Sequence, residues 1–258
     1  MIETSSEPPP AALVTGGAQR IGRAVVLALA GQGYAVAIHL RRSRSEAERL
    51  CAEIAGRGGR AGVVEGDLAD HAAVLRLVPA AVAAVGPLTL LVNNASEFEP
   101  DEIGALTRER FDRHAAVNLR APIFLAQAFA AQAPGGADAS IVNLLDQRVL
   151  KPTPRFLSYG LSKSALHVAT TTLAQALAPA VRVNAVAPGP TLPSARQDAN
   201  AFERQVHALP LGRGPTPQDI ADAVLYLAAA KGVTGVTIAV DGGQHLAWRT
   251  PDSADVDE

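Results

Sequence analysis

Tyr159 and Lys163 stand four residues apart in Tyr-Gly-Leu-Ser-Lys. On a helix this spacing puts a phenol and an ammonium on one face, one turn apart. A tyrosine, with a pKa of about 10, is a poor acid–base catalyst at neutral pH. A neighbouring cation favours the phenolate and moves that pKa toward neutrality. The pair therefore predicts proton transfer. The same spacing also occurs on solvated helix faces, so its meaning depends on its surroundings.

The segment from Leu13 to Gly22, Leu-Val-Thr-Gly-Gly-Ala-Gln-Arg-Ile-Gly, runs from a predicted strand into a predicted helix. Gly16 and Gly22 allow a tight turn and close packing of helix on sheet, with Arg20 and Ile21 between them. The helix N-terminus then faces a dinucleotide pyrophosphate. The second predicted strand ends at His39-Leu40-Arg41-Arg42-Ser43. Sites for NAD carry an acidic residue here for the ribose 2′-hydroxyl, whereas arginine accommodates the 2′-phosphate of NADP. Arg41, Arg42 and Ser43 supply cations and a hydroxyl, and no carboxylate follows until Glu46. NADPH/NADP is the predicted cofactor. Asp67-Leu68, ending the third predicted strand, either caps the next turn or binds the adenine edge.

Short apolar runs alternate with longer amphipathic ones along the chain. Strands are predicted at Ala12–Thr15, Ala35–Leu40, Gly62–Glu65, Thr89–Asn93, Ser140–Leu145, Val181–Ala187 and Val236–Val240. Helices are predicted at Ile21–Gln32, Ser45–Gly56, His71–Val85, Arg108–Ala131, Leu157–Leu177 and Pro217–Ala229. Such alternation predicts an α/β fold with a parallel sheet covered on both faces, and nearly all-apolar strands suit it. The least regular interior stretch, Pro188 to Pro217, holds four further prolines. It is too long for an ordinary connection and predicts a lid or flap.

The chain has 258 residues, 48% of them hydrophobic, and a net charge of −2. This supports one large core, and the near-balanced charge offers no basic field for nucleic acid. Cys51 is the only cysteine, which fits a reducing compartment. No apolar run is long enough for a bilayer, and residues 1–10 lack a signal-peptide pattern, so a cytoplasmic location is expected. Residues 1–10 and the acidic tail 250–258 read as disordered, flanking one domain over 11–249. No histidine–cysteine cluster suggests a metal. His114, His167, His207 and Trp248 read as structural.

Together these pieces resemble the short-chain dehydrogenase/reductase family, from Ala12 to about Leu246. The resemblance rests on Thr15-Gly16…Ile21-Gly22, Asn93-Asn94-Ala95, Asn118, Tyr159…Lys163, Pro188-Gly189 and Val240-Asp241-Gly242-Gly243. It implies a single-domain, Rossmann-like, doubly wound seven-stranded parallel sheet and commonly a homotetramer. It also implies catalytic roles for Asn118, Tyr159 and Lys163, and cofactor contacts from Asn94, Ala95, Pro188 and Gly189. Four departures from the common pattern are similar to the pteridine and dihydromonapterin reductases. Arg20 replaces a third glycine, Ser96 replaces a glycine after Asn-Asn-Ala, Phe98 follows, and Asp146 stands where a catalytic serine is expected.

An ionised Asp146 would repel a ketone oxygen becoming an alkoxide. A substrate with ring N–H donors, or a C=N bond that gains a proton, suits a carboxyl better, and pterins carry both. Phe98 offers a face on which a flat heterocycle could stack against the nicotinamide, for about 1 kcal/mol. Ser96 reads as a partner for the pterin edge or a cofactor phosphate, and Arg20 as a bridge between pyrophosphate and pterin. The expected reaction is NADPH-dependent reduction of a pterin, dihydropterin to tetrahydropterin, with pterin or folate as variants. Asp146 and Tyr159 deliver the proton, Lys163 binds the nicotinamide ribose, and Asn118 positions a water. The donor itself stays open among Asp146, Tyr159 and water. Two alternatives remain: a general NADPH-dependent carbonyl reductase, and a non-catalytic NADP-binding sensor.

Overall fold

The computed structural model describes residues 9–134, 138–194 and 198–248. Apart from Pro9 and Pro10, the tails expected at 1–10 and 250–258 lie outside these residues. Seven strands form one parallel sheet: β1 (Ala11–Val14), β2 (Ala35–Leu40), β3 (Ala61–Glu65), β4 (Leu90–Asn93), β5 (Ala139–Leu144), β6 (Val181–Pro188) and β7 (Thr237–Val240). Their spatial order is β3-β2-β1-β4-β5-β6-β7. The chain winds outward from β1 on one side, then returns to β4 and winds outward on the other. The reversal opens a crevice at the carboxyl ends of β1 and β4, where ligands of doubly wound sheets bind.

Alternation along each strand fills both faces. Leu13, Leu91, Ile141 and Val183 meet Val74, Leu77, Leu125 and Phe129 in one cluster. Val14, Ile38, Val92, Val142 and Val186 meet Val25, Leu29, Ile220 and Val224 in the other. Each of these side chains is essentially inaccessible, a burial of about 1.5–3 kcal/mol apiece. The helices are α1 (Arg20–Gly31), α2 (Arg44–Gly56), α3 (His71–Val85), α4 (Arg108–Ala115), α5 (Ala121–Gln132), α6 (Leu157–Leu177), α7 (Ala199–His207) and α8 (Pro217–Ala229). Among the described residues no helix is long and apolar enough to cross a membrane.

Two sequence expectations are corrected. The single helix expected over Arg108–Ala131 is interrupted by a π-turn at Ala116–Arg120, between α4 and α5. Pro122 has no N–H to donate to the carbonyl of Asn118, four residues earlier, so a regular α-helix cannot continue there. Asn118 thus sits on the irregular turn. The stretch 188–217, expected to be irregular, contains α7. Asp198 caps it by accepting from Ala201 N–H at 2.6 Å, and among its described side chains none is fully buried.

Candidate active site

A cleft of about 1160 Å³ runs along the carboxyl ends of the strands. Gly16, Arg20, Ile21, Gly22, Arg41, Arg42, Ser43, Asp67 and Leu68 line one part of it. Asn94, Ala95, Ser96, Phe98, Asp146, Tyr159, Lys163, Pro188 and Gly189 line the rest. Every catalytic, cofactor or substrate residue predicted from the sequence therefore reaches this cleft except Asn118, which is fully buried behind it.

The glycine-rich turn is built by close approach. Gly16 has φ +61, which glycine adopts without strain. A Cβ on Gly22 would strike the Gly16 carbonyl and lie 2.6 Å from Asn94 Nδ2. That Nδ2 donates to the Thr15 and Gly16 carbonyls at 2.8 and 3.0 Å, and Asn94 and Ala95 N–H both donate to Thr15 Oγ1. Asn94 and Ala95 thus lock the β4 end to the turn after β1. Arg20 also has positive φ, at 52, a conformation costing a non-glycine residue about 1 kcal/mol or more. Its guanidinium reaches over the cleft to Pro193 O at 3.1 Å and Leu192 O at 3.4 Å.

At the end of β2, Ser43 precedes α2 but makes no side-chain cap bond. Arg42 has no ion pair among the described residues, whereas Arg41 lies 3.7 Å from Glu97. Glu97 is held more tightly by Arg113, at 2.8 Å. Asp67 acts as a turn cap, accepting from Ala69 N–H at 2.9 Å, and its other oxygen lies 3.6 Å from Arg113.

At the other end, Tyr159 donates its hydroxyl to Asp146 Oδ2 at 2.9 Å. The same oxygen accepts from Arg148 Nη1 at 2.9 Å, and Oδ1 accepts from Arg148 N–H at 2.8 Å. Lys163 Nζ donates to Leu144 O at 2.6 Å. The Phe98 ring is stacked on Phe156, with centroids 4.5 Å apart and planes within 1°. It also meets Tyr159 edge-on at 4.7 Å. Asn118 spends its amide on protein groups: Oδ1 accepts from Glu97 N–H and Ser96 Oγ, and Nδ2 donates to Glu97 O and Ser162 Oγ. It ties the β4 loop to α6. Ser96 uses its hydroxyl proton in that tie and offers the cleft an acceptor.

Comparisons with known proteins follow the same lines. A family profile described as Enoyl-(Acyl carrier protein) reductase matches residues 16–245. The structure of the FolM alternative dihydrofolate reductase 1 of Brucella suis, solved with NADP, superposes with a TM-score of 0.92 at 52% identity, covering 95% of this chain and 98% of that one. Pteridine reductase 1 of Leishmania tarentolae is 31% identical, over 94% of this chain and 99% of that protein. A granaticin polyketide synthase putative ketoacyl reductase of Streptomyces violaceoruber is 33% identical, over 95% of this chain and 100% of that protein. The chain belongs to the short-chain dehydrogenase/reductase family. Within the family it lies on the pteridine-reductase-like branch.

In this short-chain dehydrogenase/reductase the electrostatics differ from the expectation that Lys163 moves the phenol toward neutrality. Burial, then Asp146, hold the Tyr159 pKa well above its usual 10, and the opposing pull comes from Arg148. Burial brings Lys163 down to about 8, against the pull of Asp146. Burial of both groups is the leading cause, and the phenol also bonds to the Asp146 carboxylate while the ammonium bonds to Leu144 O. Near neutral pH the Tyr159 phenol is therefore protonated.

Two contributors, Arg148 and Phe156, escaped the sequence reading, as did the role of His39. Arg148 carries a visible signal, a cation two residues after Asp146. Phe156 lies three residues before Tyr159 in a left-handed conformation, φ 58, which no local pattern announces. His39 interrupts an otherwise apolar strand and is 2% exposed. Its Nδ1 accepts from Gly16 N–H at 3.1 Å and its Nε2 bonds to Gly66 O at 3.0 Å. One ring thus joins the glycine turn, the end of β2 and the loop leading to Asp67.

Proposed function

We propose that this protein is an NADPH-dependent reductase of pterins, taking a dihydropterin to a tetrahydropterin, with oxidised pterin or dihydrofolate as related substrates. The observation that carries the reading is the Tyr159–Asp146 hydrogen bond of 2.9 Å beside the ring of Phe98. A carboxylate that accepts from a phenol suits a substrate offering N–H groups and a C=N nitrogen to protonate. It opposes a ketone oxygen gathering negative charge.

The residues lining the cleft fit a dinucleotide. The Gly16–Gly22 turn and the start of α1 would take the pyrophosphate, and Arg41, Arg42 and Ser43 the 2′-phosphate. Asp67 and Leu68 would border the adenine, with Asn94, Ala95, Pro188 and Gly189 along the remaining length. Lys163 would hold the nicotinamide ribose. When bound, the reduced dinucleotide supplies a hydride; the proton comes from this chain. Tyr159 donates it to the ring nitrogen, and Asp146 orients the phenol and accepts from substrate N–H groups. Phe98, Ser96 and Arg20 would flank the heterocycle, and Asn118, its side-chain amide fully engaged by Glu97, Ser96 and Ser162, holds the Ser96–Glu97 loop rather than the water expected of it. The reading includes a cytoplasmic homotetramer, for which sedimentation of the purified protein is the check.

A general carbonyl reductase is the second reading, supported by the 33% identity to the ketoacyl reductase. Oxidation of NADPH with dihydrobiopterin, dihydromonapterin and dihydrofolate separates the two. Pterin turnover that collapses in Asp146→Ser supports the first. Ketone turnover that rises in Asp146→Ser, with no pterin turnover, supports the second. Binding of NADPH with turnover of neither class would leave a non-catalytic sensor.

A further inference from the structure

An aspartate beside the catalytic tyrosine creates an electrostatic difficulty. When Tyr159 gives its proton to a substrate nitrogen, its O–H bond breaks, an N–H bond forms, and a phenolate is left until water reprotonates it. That phenolate would face a carboxylate oxygen 2.9 Å away, and like charges at that range strongly disfavour one another.

We propose that Arg148 is a positioning residue that lets an aspartate work at this place, by clamping both oxygens of Asp146 and offsetting the second negative charge. The proposal rests on the pterin reading and names a residue that this reading does not yet use. Asp146 is the N-cap of a short 3₁₀ turn, Gln147–Val149. Its Oδ1 accepts from the Arg148 backbone at 2.8 Å, a bond any residue other than proline could make. Its Oδ2 accepts from the guanidinium at 2.9 Å, a bond that needs a long cationic side chain. Tyr159 donates to the same Oδ2. One oxygen therefore carries both the proton donor and the compensating cation.

The guanidinium is itself held. It lies 5.6, 5.4 and 6.0 Å from the ring centroids of Phe98, Phe156 and Tyr159, within cation–π reach of all three. The two side chains of the pair are only 21% and 14% exposed. The pair is therefore less screened than a surface ion pair. Arg148 also opposes the rise in the Tyr159 pKa that Asp146 and burial cause.

The test is a double-mutant cycle. Arg148→Met and Arg148→Lys are each made in the natural chain and in Asp146→Asn, with dihydropterin turnover and NADPH affinity measured for every variant. Arg148→Met is expected to lower kcat about tenfold in the natural chain and less than about twofold in Asp146→Asn. NADPH affinity stays unchanged, and Arg148→Lys recovers much of the loss. Equal losses in both backgrounds overturn the proposal, as does a loss confined to NADPH affinity, while pterin turnover keeps the reading intact. If the natural chain reduces a ketone but no pterin, the reading falls. The same cycle on the ketone then decides: a loss that depends on Asp146 supports the clamp, and an additive loss overturns it. Inactivity on both overturns both.

Discussion

The ring of His39 accepts from Gly16 N–H at 3.1 Å, so a side chain on β2 holds the first glycine of the nucleotide turn. An acceptor at Nδ1 requires the neutral ring with its proton on Nε2, where the Gly66 carbonyl takes it. Burial lowers the His39 pKa from 6.5 to about 4, against the Gly66 bond and Asp67, which raise it. Between those values the unfolded chain binds a proton that the folded chain does not. The stabilisation by the neutral ring is complete above pH 6.5, declines as pH falls, and is gone below about pH 4. It is on the order of 3 kcal/mol. Thermal melting of the natural chain should drop over that window, with a flatter profile in His39→Gln. Superimposable profiles would refute this.

Tyr159→Phe removes the buried phenol hydroxyl that bonds to Asp146 and leaves the ring packing against Phe98. Its pterin turnover should fall about 10²- to 10⁴-fold, with NADPH affinity little changed. Retained turnover would assign proton delivery to Asp146 or to water.

Lys163, with its pKa near 8, is charged below that value and neutral above it. If it holds the nicotinamide ribose, the KM for NADPH rises as pH climbs through 8. In Lys163→Met the KM is high throughout and independent of pH. A pH-dependent KM that persists in Lys163→Met would assign the dependence to another group.

Replacing Arg41 and Arg42 together by alanine should raise the KM for NADPH by about tenfold or more and leave NADH turnover nearly unchanged. Glu97 complicates Arg41 by standing 3.7 Å away, so Arg42→Ala alone should account for most of the effect. Equal losses with NADPH and NADH would count against a 2′-phosphate site.

Gly22→Ala should abolish dinucleotide binding, because its methyl group would occupy the space taken by the Gly16 carbonyl and Asn94 Nδ2. Equilibrium titration with NADPH reads this directly, and binding at natural strength would show that the turn adapts.

The sequence by itself determined the alternating elements, the glycine turn, the basic end of β2 and the Tyr159–Lys163 pair. Each is local: apolar periodicity follows burial on one or both faces, and residues four apart on a helix are neighbours whatever the rest of the fold does. Substitution of a carboxylate at position 146 was visible too, but not its consequences. Only the tertiary structure decided that Asp146 takes the phenol proton bond and that Lys163 turns to Leu144 O. It also seated Phe156 on Phe98, and set His39 beneath Gly16. These contacts join separate strands, helices and loops, and the pKa directions at the site follow from burial and charge placement that no local spacing encodes. The break at Asn118 lies between the two cases: Pro122 was readable, yet the helix resumed after it because α5 packs against the core, which only the assembled fold supplies.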